Sequence, residues 1–377
     1  MVLAAVAAAL VLLSAGAGLG WTFSRGGVTG AVSVSESTLT PAPQITPSQG
    51  SSGGAFDVAA IADRVDDAVV DVNTVIDENP FDNVPAEATG AGTGMVITSS
   101  GLVMTNNHVV RGATKIEVVV PGRSGSYTAT VVGAAPSADV ALLQIEGLSG
   151  LPTVTVADSS TLSVGQDVIA IGNAFGRGGS PTVSQGEITA LGRSISVSDG
   201  QGGSSVLANM IEIDADIHPG ESGGPLVNST GQVIGIITAG TRNGATADLT
   251  AGYAIPSTGA LAIVNEIRAG HENDAIIIGE PGYLGIGAQE LDAQTAAELG
   301  VDQGIVVTDV TAGTPADRAG ITANSVITAI DGEVVSTMDE LGVAIHQHGP
   351  GEQIRVTWVD SDGRHTATVR LVAGPAV

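Results

Sequence analysis

Apolar and polar positions alternate with two different periods along this chain. Between residues 90 and 256, short apolar runs recur between turn clusters: TGMVIT at 93–98, KIEVVV at 115–120, DVALLQI at 139–145, DVIAIG at 167–172 and GQVIGIIT at 231–238. Several are apolar on both faces, which suits strands of a closed barrel or sandwich. Two stretches have helical spacing instead. Residues 56–65 read as a short amphipathic helix. Residues 257–268 place Leu261, Val264 and Ile267 on one face, with Ser257 as a candidate cap. The last stretch reads strand, helix, strand, short helix, strand, helix, strands. There Ser336-Thr337-Met338-Asp339 resembles a capping box ahead of a helical run to His348. The sequence has no internal repeat and no heptad pattern.

Two segments carry no such pattern, and they divide the rest. Residues 24–54 are Ser-, Thr-, Pro- and Gly-rich and read as a flexible linker with a reach of roughly 30 Å. A second linker is expected over 271–281, ending at Glu280-Pro281. The expected order is therefore an N-terminal segment over 1–23, a linker over 24–54, a large β body over 55–270, a linker over 271–281 and a small module over 282–374. Residues 2–23 are uncharged and about long enough to span a bilayer as a helix. They also fit a signal peptide, with Ala15-Gly16-Ala17 as a small-x-small cleavage pattern. No Lys or Arg precedes this run and Arg25 follows it, against the positive-inside bias. The expectation is a single-pass anchor in the cell membrane with the folded body outside the cytoplasm. Cleavage and release, to a secreted or periplasmic form, is the alternative.

Composition removes several classes of function. The chain has 377 residues, 13 Lys+Arg against 39 Asp+Glu, and a formal net charge of −26. A polyanion of this strength is repelled by phosphate backbones, so no nucleic acid is expected as a partner. There is no Cys, hence no disulfide framework, no Cys-ligated metal and no cysteine nucleophile. With four Phe, two Trp and three Tyr, the core must be built from aliphatic side chains. Disorder throughout is excluded, because 43% of residues are hydrophobic and only 14% are charged.

The chemistry concentrates in His218-Pro219-Gly220-Glu221-Ser222-Gly223-Gly224-Pro225-Leu226. Glycines around a serine let the backbone turn sharply and bring main-chain N–H groups toward a developing negative charge. A serine hydroxyl needs a base, and the base needs orienting. His108 in TNNHVV (105–110) and Asp139 in SADVALLQI (137–145) are the upstream candidates. The order His, Asp, Ser is that of chymotrypsin-like double-barrel enzymes. Gly220-Glu221-Ser222-Gly223-Gly224 also matches the G-x-S-x-G elbow of α/β-hydrolases. That elbow needs a long helix after the serine and its His downstream. Here Pro225 and another β pattern follow, and the downstream histidines His271, His346, His348 and His365 fall in the linker or the last module.

These motifs, together with GNAFG (172–176), TVSQGEITALGR (182–193) and GYAIP (252–256), resemble the HtrA/DegP-type serine proteases over about residues 55–374. The resemblance implies a mostly β chain: a trypsin-like double β-barrel protease domain followed by a PDZ domain. It implies a serine endopeptidase acting in protein quality control on unfolded or damaged extracytoplasmic proteins. In that reading Ser222 is the nucleophile, His108 the general base and Asp139 its orienting acid. The N–H groups of Gly220 and Ser222 form the oxyanion hole. Ile237-Thr238-Ala239 pairs with the substrate backbone, and Ile217 helps line an S1 pocket for small or medium aliphatic residues. Tyr283, Leu284, Gly285 and Ile286 form a PDZ loop that binds peptide C-termini. A homotrimer or larger assembly is also implied, with Phe56 and Phe81 as candidate contacts. No cofactor is implied. No metal is expected either, since His346 and His348 do not face one way on a helix. A non-proteolytic chaperone or scaffold binding peptides through barrel and PDZ is the alternative.

Two positions depart from the family pattern. Glu221 stands where the family usually has Asn. If buried, it needs a cation or several N–H donors, and Arg177 and Arg193 are the candidates; the other expectation is a solvent-facing side chain. Asp216 lies six residues before Ser222, the offset at which an acid selects basic P1 residues in trypsin-like enzymes. The Gly- and Ser-rich stretches 173–181 and 192–204 are expected as mobile loops.

Overall fold

A computed structural model of the protein describes residues 34–35, 57–77, 87–176, 179–198, 204–242 and 249–376. The anchor or signal segment, nearly all of the first linker, Phe56, Phe81 and Arg177 therefore lie outside the described residues. No helix among the described residues is long and apolar enough to cross a membrane.

The body is two closed six-stranded β-barrels. The first uses β1 (Val69–Asp77), β2 (Glu87–Val96), β3 (Leu102–Thr105), β4 (Lys115–Val119), β5 (Tyr127–Ala135) and β6 (Val140–Ile145). Its order is β5-β4-β1-β2-β3-β6, and β6 closes back on β5. The second uses β7 (Asp167–Gly172), β8 (Thr182–Ser198), β9 (Ser204–Ile213), β10 (Pro225–Val227), β11 (Val233–Arg242) and β12 (Leu249–Pro256). Its order is β8-β9-β12-β11-β10-β7, and β7 closes on β8. Closure removes sheet edges that would otherwise expose unpaired backbone.

The runs that are apolar on both faces now have a reason. Each barrel fills its own interior: Val70, Val72, Val103, Val118 and Leu143 in the first, Val168, Ile188, Ile213, Leu226 and Ile237 in the second. A third cluster lies on the seam between barrels. There Met95, Met104 and Leu142 of the first meet Ile169, Ile171, Val227, Ile236 and Tyr253 of the second. A strand such as β6, apolar at nearly every position, serves an interior with one face and the seam with the other.

A short helix α1 (Val58–Ala62), capped by Asp57, inserts Ile61 and Ala62 into the seam cluster. It is shorter than the helix expected over 56–65. A second short helix, α2 (Asn107–Val110), follows β3. The longer α3 (Ser257–Ala269) packs Ala260, Val264 and Ile267 against the barrels, each buried Val or Ile contributing about 1.5–3 kcal/mol. Gly133 lets it approach β5, since a Cβ there would lie 2.7 Å from Ile267. Ser257 is not its cap. It is the first helical residue, its hydroxyl donates to the Ala157 carbonyl at 2.8 Å, and Pro256 precedes the helix.

Within the span expected as the second linker, β13 (Ile277–Ile278) pairs with β5. The C-terminal module follows: β14 (Gly282–Tyr283), β15 (Ile286–Glu290), α4 (Ala293–Leu299), β16 (Ile305–Val310), α5 (Pro315–Ala319), β17 (Val326–Ile330), β18 (Glu333–Val334), α6 (Met338–His346), β19 (Gln353–Asp360), β20 (Gly363–Arg370) and β21 (Val372–Ala373). Its core is Leu284, Ile305, Val307, Ile327, Leu341, Val356 and Trp358. The capping box on α6 sits one residue later than expected. Thr337 is the cap and Glu340 is its partner, because the longer Glu side chain reaches back to the N–H groups of Ser336 and Thr337. Residues 192–198, expected in a loop, belong to β8 and pair with β9.

Candidate active site

His108 reaches the seam because β3 ends at Thr105 and the chain turns at once into α2. Asn106, fully buried, fixes that turn by donating its side-chain amide to the Asp139 carbonyl at 2.9 Å. Asp139 sits in the left-handed region at φ 54°, which Asp tolerates better than most residues, and closes a one-turn 3₁₀ helix before β6. Its carboxylate faces His108. Nδ1 lies 2.8 Å from Oδ2 and 3.0 Å from Oδ1, and the His108 backbone N–H donates to Oδ1 at 2.9 Å. A carboxylate gripping Nδ1 leaves Nε2 as the nitrogen free to accept a proton.

Ser222 lies on the loop between β9 and β10. Its hydroxyl donates to the Thr238 carbonyl at 3.1 Å, and no hydrogen bond joins it to His108. Thr238 links the three residues. Its own hydroxyl donates to Asp139 Oδ2 at 2.5 Å, so one residue of β11 holds both the serine and the acid.

The loop is held from both barrels. From the second, Ile237 donates its N–H to the Gly224 carbonyl at 2.9 Å and accepts from the Gly223 N–H at 2.8 Å. From the first, the Thr93 N–H donates to the Ser222 carbonyl at 2.8 Å and the Thr93 hydroxyl to the Gly220 carbonyl at 2.7 Å. Gly223 is at φ 88°, and any Cβ there would strike the Thr93 carbonyl. Gly220 is at φ 97°, with a Cβ colliding with the Asn173 carbonyl. The Pro219 carbonyl accepts from the Phe175 N–H at 2.6 Å. Among the described residues, none accepts from the N–H of Gly220 or Ser222. Two donors on one sharp turn, beside a hydroxyl, can hold a developing oxyanion.

The expected substrate strand narrows. Ile237 has no backbone group to spare, and its side chain is fully buried in the second barrel. β11 pairs with β10 only through Val233–Ile236, and among the described residues no strand pairs with that edge at Thr238 and Ala239, where the Thr238 carbonyl accepts the Ser222 hydroxyl. Ile217 is 4% exposed and joins the same apolar cluster as Ile237. Asp216 does not lie on a buried pocket floor: its side chain is 65% exposed, with Oδ2 3.6 Å from His218 Nε2.

Glu221 does not face solvent. It is 1% exposed, Oε2 accepts the His218 N–H at 2.8 Å, and Oε1 has no hydrogen-bond partner. Burial, with the charge of Asp216 adding to it, pushes its carboxyl up to about 7. Of the two candidate arginines, Arg193 pairs with Glu212 at 2.8 Å, and Arg177 lies outside the described residues. Among the described residues the titratable group facing Oε1 is the His218 imidazole, with Nδ1 3.8 Å away.

In the last module, Leu284 is buried, and Gly285 is at φ 87° against Thr314, where a Cβ would collide with the threonine side chain. The Leu284 carbonyl accepts from Ala316 at 2.9 Å and that of Gly285 from Thr311 at 3.0 Å. Among the described residues, none accepts from the N–H groups of Leu284 and Gly285. Among the described residues β15 pairs only with β16, so none pairs with its other edge beside α6. No group of metal-ligating side chains is present among the described residues.

Residues 92–236 match the trypsin-like peptidase domain family and residues 282–371 the PDZ domain family. The chain is 38% identical over 291 residues to the probable periplasmic serine protease do/HhoA-like of Haemophilus influenzae, across 75% of this chain and 58% of that protein. It is 33% identical over 293 residues to the serine protease Do-like HtrA of Lactococcus lactis subsp. cremoris, across 74% of this chain and 70% of that protein. Its span is thus about half to three-fifths the length of several of these relatives, down to 50% of a DegP-like endoprotease of Chlamydia muridarum. A solved structure of the HtrA-type protease AlgW with a tripeptide is 30% identical at a TM-score of 0.49, covering 85% of this chain and 98% of that one. With its trypsin-like peptidase domain followed by a PDZ domain, the chain belongs to the HtrA/DegP family of serine proteases.

Proposed function

We propose that this protein is a serine endopeptidase that cleaves unfolded or damaged proteins outside the cytoplasm. The observation that carries the reading is the grip of Asp139 on His108 Nδ1, with Ser222 tied to the same carboxylate through Thr238. Ser222 Oγ leaves the Thr238 carbonyl by a rotation about χ1 and attacks the scissile carbonyl carbon. His108 Nε2 takes the hydroxyl proton, and Asp139 stabilises the imidazolium that forms. The Gly220 and Ser222 N–H groups hold the oxyanion. Collapse of the tetrahedral intermediate breaks the C–N bond, with the imidazolium returning its proton to the leaving amine. Water, activated by the neutral His108, then hydrolyses the acyl-enzyme.

The substrate adds as a strand on the open edge at Thr238 and Ala239. Exposure of Asp216 and the aliphatic surroundings of Ile217 favour small or medium aliphatic P1 residues over basic ones. Peptide C-termini dock on Leu284, Gly285 and Ile286 beside Tyr283 and α6. The protease domain spans 55–270 and the PDZ domain 282–374, with a homotrimer as the smallest assembly. Residues 1–23 serve as membrane anchor or export signal.

Ser222-dependent labelling by a fluorophosphonate, together with casein digestion lost in Ser222→Ala, is the expected outcome. One observation favours a peptide-binding scaffold instead: the Ser222 hydroxyl is bonded to Thr238 rather than to His108. Suppression of casein aggregation without labelling in any oligomeric state, or with any activating peptide, would replace the protease reading by that one.

A further inference from the structure

The turn that carries the two oxyanion donors contains a pair of buried polar atoms with no hydrogen-bond partner among the described residues. Glu221 Oε1 and His218 Nδ1 are both buried without a hydrogen-bond partner, 3.8 Å apart. That gap is too long for a hydrogen bond and too short for a bridging water. A proton between them and a closing movement of about 1 Å would join them. The far ring nitrogen, Nε2, lies 3.6 Å from Asp216 Oδ2, which favours hydrogen on Nε2 and leaves Nδ1 to accept. The edge of Phe175 packs on the ring at 5.2 Å and steadies its plane. Gly172 makes room for the Glu221 side chain, since a Cβ there would lie 2.9 Å from Glu221 Cβ.

We propose that His218 and Glu221 share one proton as a positioning pair that keeps the Gly220 and Ser222 N–H groups aimed at the substrate, and that its loss releases the turn. The inference rests on the peptidase reading above. Glu221 is here a positioning residue: it acts through the turn it closes, with Oε2 on the His218 N–H and its own N–H on the His218 carbonyl at 3.1 Å.

The titratable groups facing Glu221 among the described residues are His218 and Asp216. Gly172 and Asn173 at the end of β7, and Thr93 of β2, bring none. Burial and Asp216 both disfavour the carboxylate, so the shared proton leaves as the pH rises through about 7. This opposes the requirement of His108, which must be neutral to act as base and so favours higher pH. The two together give a bell-shaped profile.

The test measures Ser222 acylation by a fluorophosphonate from about pH 5 to 9 in the full chain, for the natural sequence and Glu221→Gln. The ¹⁵N-histidine spectra of both are recorded alongside, with the His218 signal assigned from His218→Gln. A glutamine side chain copies the protonated carboxyl, and its amide donates to Nδ1 at every pH. The natural protein is expected to lose rate about tenfold per pH unit on the alkaline limb, and Glu221→Gln to show no such limb. The His218 Nδ1 signal is expected to follow the same titration and to lose it in Glu221→Gln. An identical alkaline limb in both proteins overturns the proposal. If neither protein is acylated at any pH, the peptidase reading falls and the nitrogen spectra decide the pair alone. A His218 titration unchanged by the substitution then overturns it, and one abolished by the substitution supports it.

Discussion

The Thr93 hydroxyl of β2 donates to the Gly220 carbonyl at 2.7 Å, across the seam between the barrels. The same oxygen accepts the Asn173 N–H at 2.8 Å, and the Thr93 carbonyl accepts the Thr105 hydroxyl at 2.6 Å. Thr93 is 0% exposed and Asn173 is buried, while Gly220 is half-buried. Thr93→Val keeps the shape and removes the oxygen. It strands the buried Asn173 N–H, at about 1–3 kcal/mol, and takes the donor from the half-buried Gly220 carbonyl. The expected outcome is a lower Tm and, because the Gly220 N–H loses its brace, a fall in kcat/KM on the order of tenfold or more, with KM changing less than kcat. Kinetics on a chromogenic peptide check this. A variant that loses stability and keeps kcat would confine Thr93 to a structural role.

Thr238 supplies a second test, because it holds Asp139 and Ser222 by different atoms. Thr238→Val removes the hydroxyl on Asp139 Oδ2 and leaves the carbonyl that accepts from Ser222. Asp139 keeps its bonds to the His108 ring and backbone N–H. The expected cost is therefore modest, about tenfold in kcat. Asp139→Asn removes the acid itself and should lose on the order of 10⁴-fold, because an amide cannot hold the same tautomer or stabilise the imidazolium. Rates of fluorophosphonate labelling for the two variants, measured side by side, give the order. Equal losses would mean that Thr238 is as necessary as the acid.

The contrast between Ser222 and Thr93 shows what a sequence can carry. Ser222, with Gly220 and Gly223 beside it, is legible because positive-φ turns restrict several neighbouring positions at once, and that leaves a local pattern. His108 and Asp139 are legible in the same way, from the ends of apolar strands. Thr93 and Thr238 act across barrels on partners 127 and 99 residues away in the chain, and nothing local marks a Thr that does so. The burial of Glu221 was equally hidden, since it depends on the missing side chain of Gly172. The cap of α6 was displaced by one residue for a simpler reason. Ser336 and Thr337 are both good caps, and the reach of Glu340 decides between them.

His346 is expected to make the PDZ module sensitive to acid. Burial in α6 holds its imidazole below the ordinary value of 6.5. Below that pH the unfolded chain takes up a proton that the folded module resists. Stability from this residue is therefore present above the unfolded value and is lost as the pH falls through it. His346→Leu removes the titration. The expected outcome is that the unfolding temperature of the PDZ transition drops less between about pH 8 and 5 in the variant than in the natural protein. Calorimetry at both pH values checks it, and an equal drop in both proteins would place the acid sensitivity elsewhere.

The peptide-binding loop can be tested through Gly285 without touching the barrels. At φ 87° an alanine costs roughly 1–2 kcal/mol in backbone strain, and its Cβ would collide with the Thr314 side chain. Thr314 cannot yield easily, since it is 0% exposed and its hydroxyl donates to the Thr311 carbonyl at 2.6 Å. The loop must open instead, and the uncommitted N–H groups of Leu284 and Gly285 shift with it. Gly285→Ala should therefore weaken binding of a peptide with a free C-terminal carboxylate by tenfold or more, an effect of about 1.4 kcal/mol. It should leave binding of the same peptide with an amidated end nearly unchanged, because that peptide never used the carboxylate site. Fluorescence anisotropy with the two peptides separates the outcomes. An equal loss for both would mean that the groove between β15 and α6 has collapsed, and an equal retention would remove Leu284, Gly285 and Ile286 from carboxylate binding.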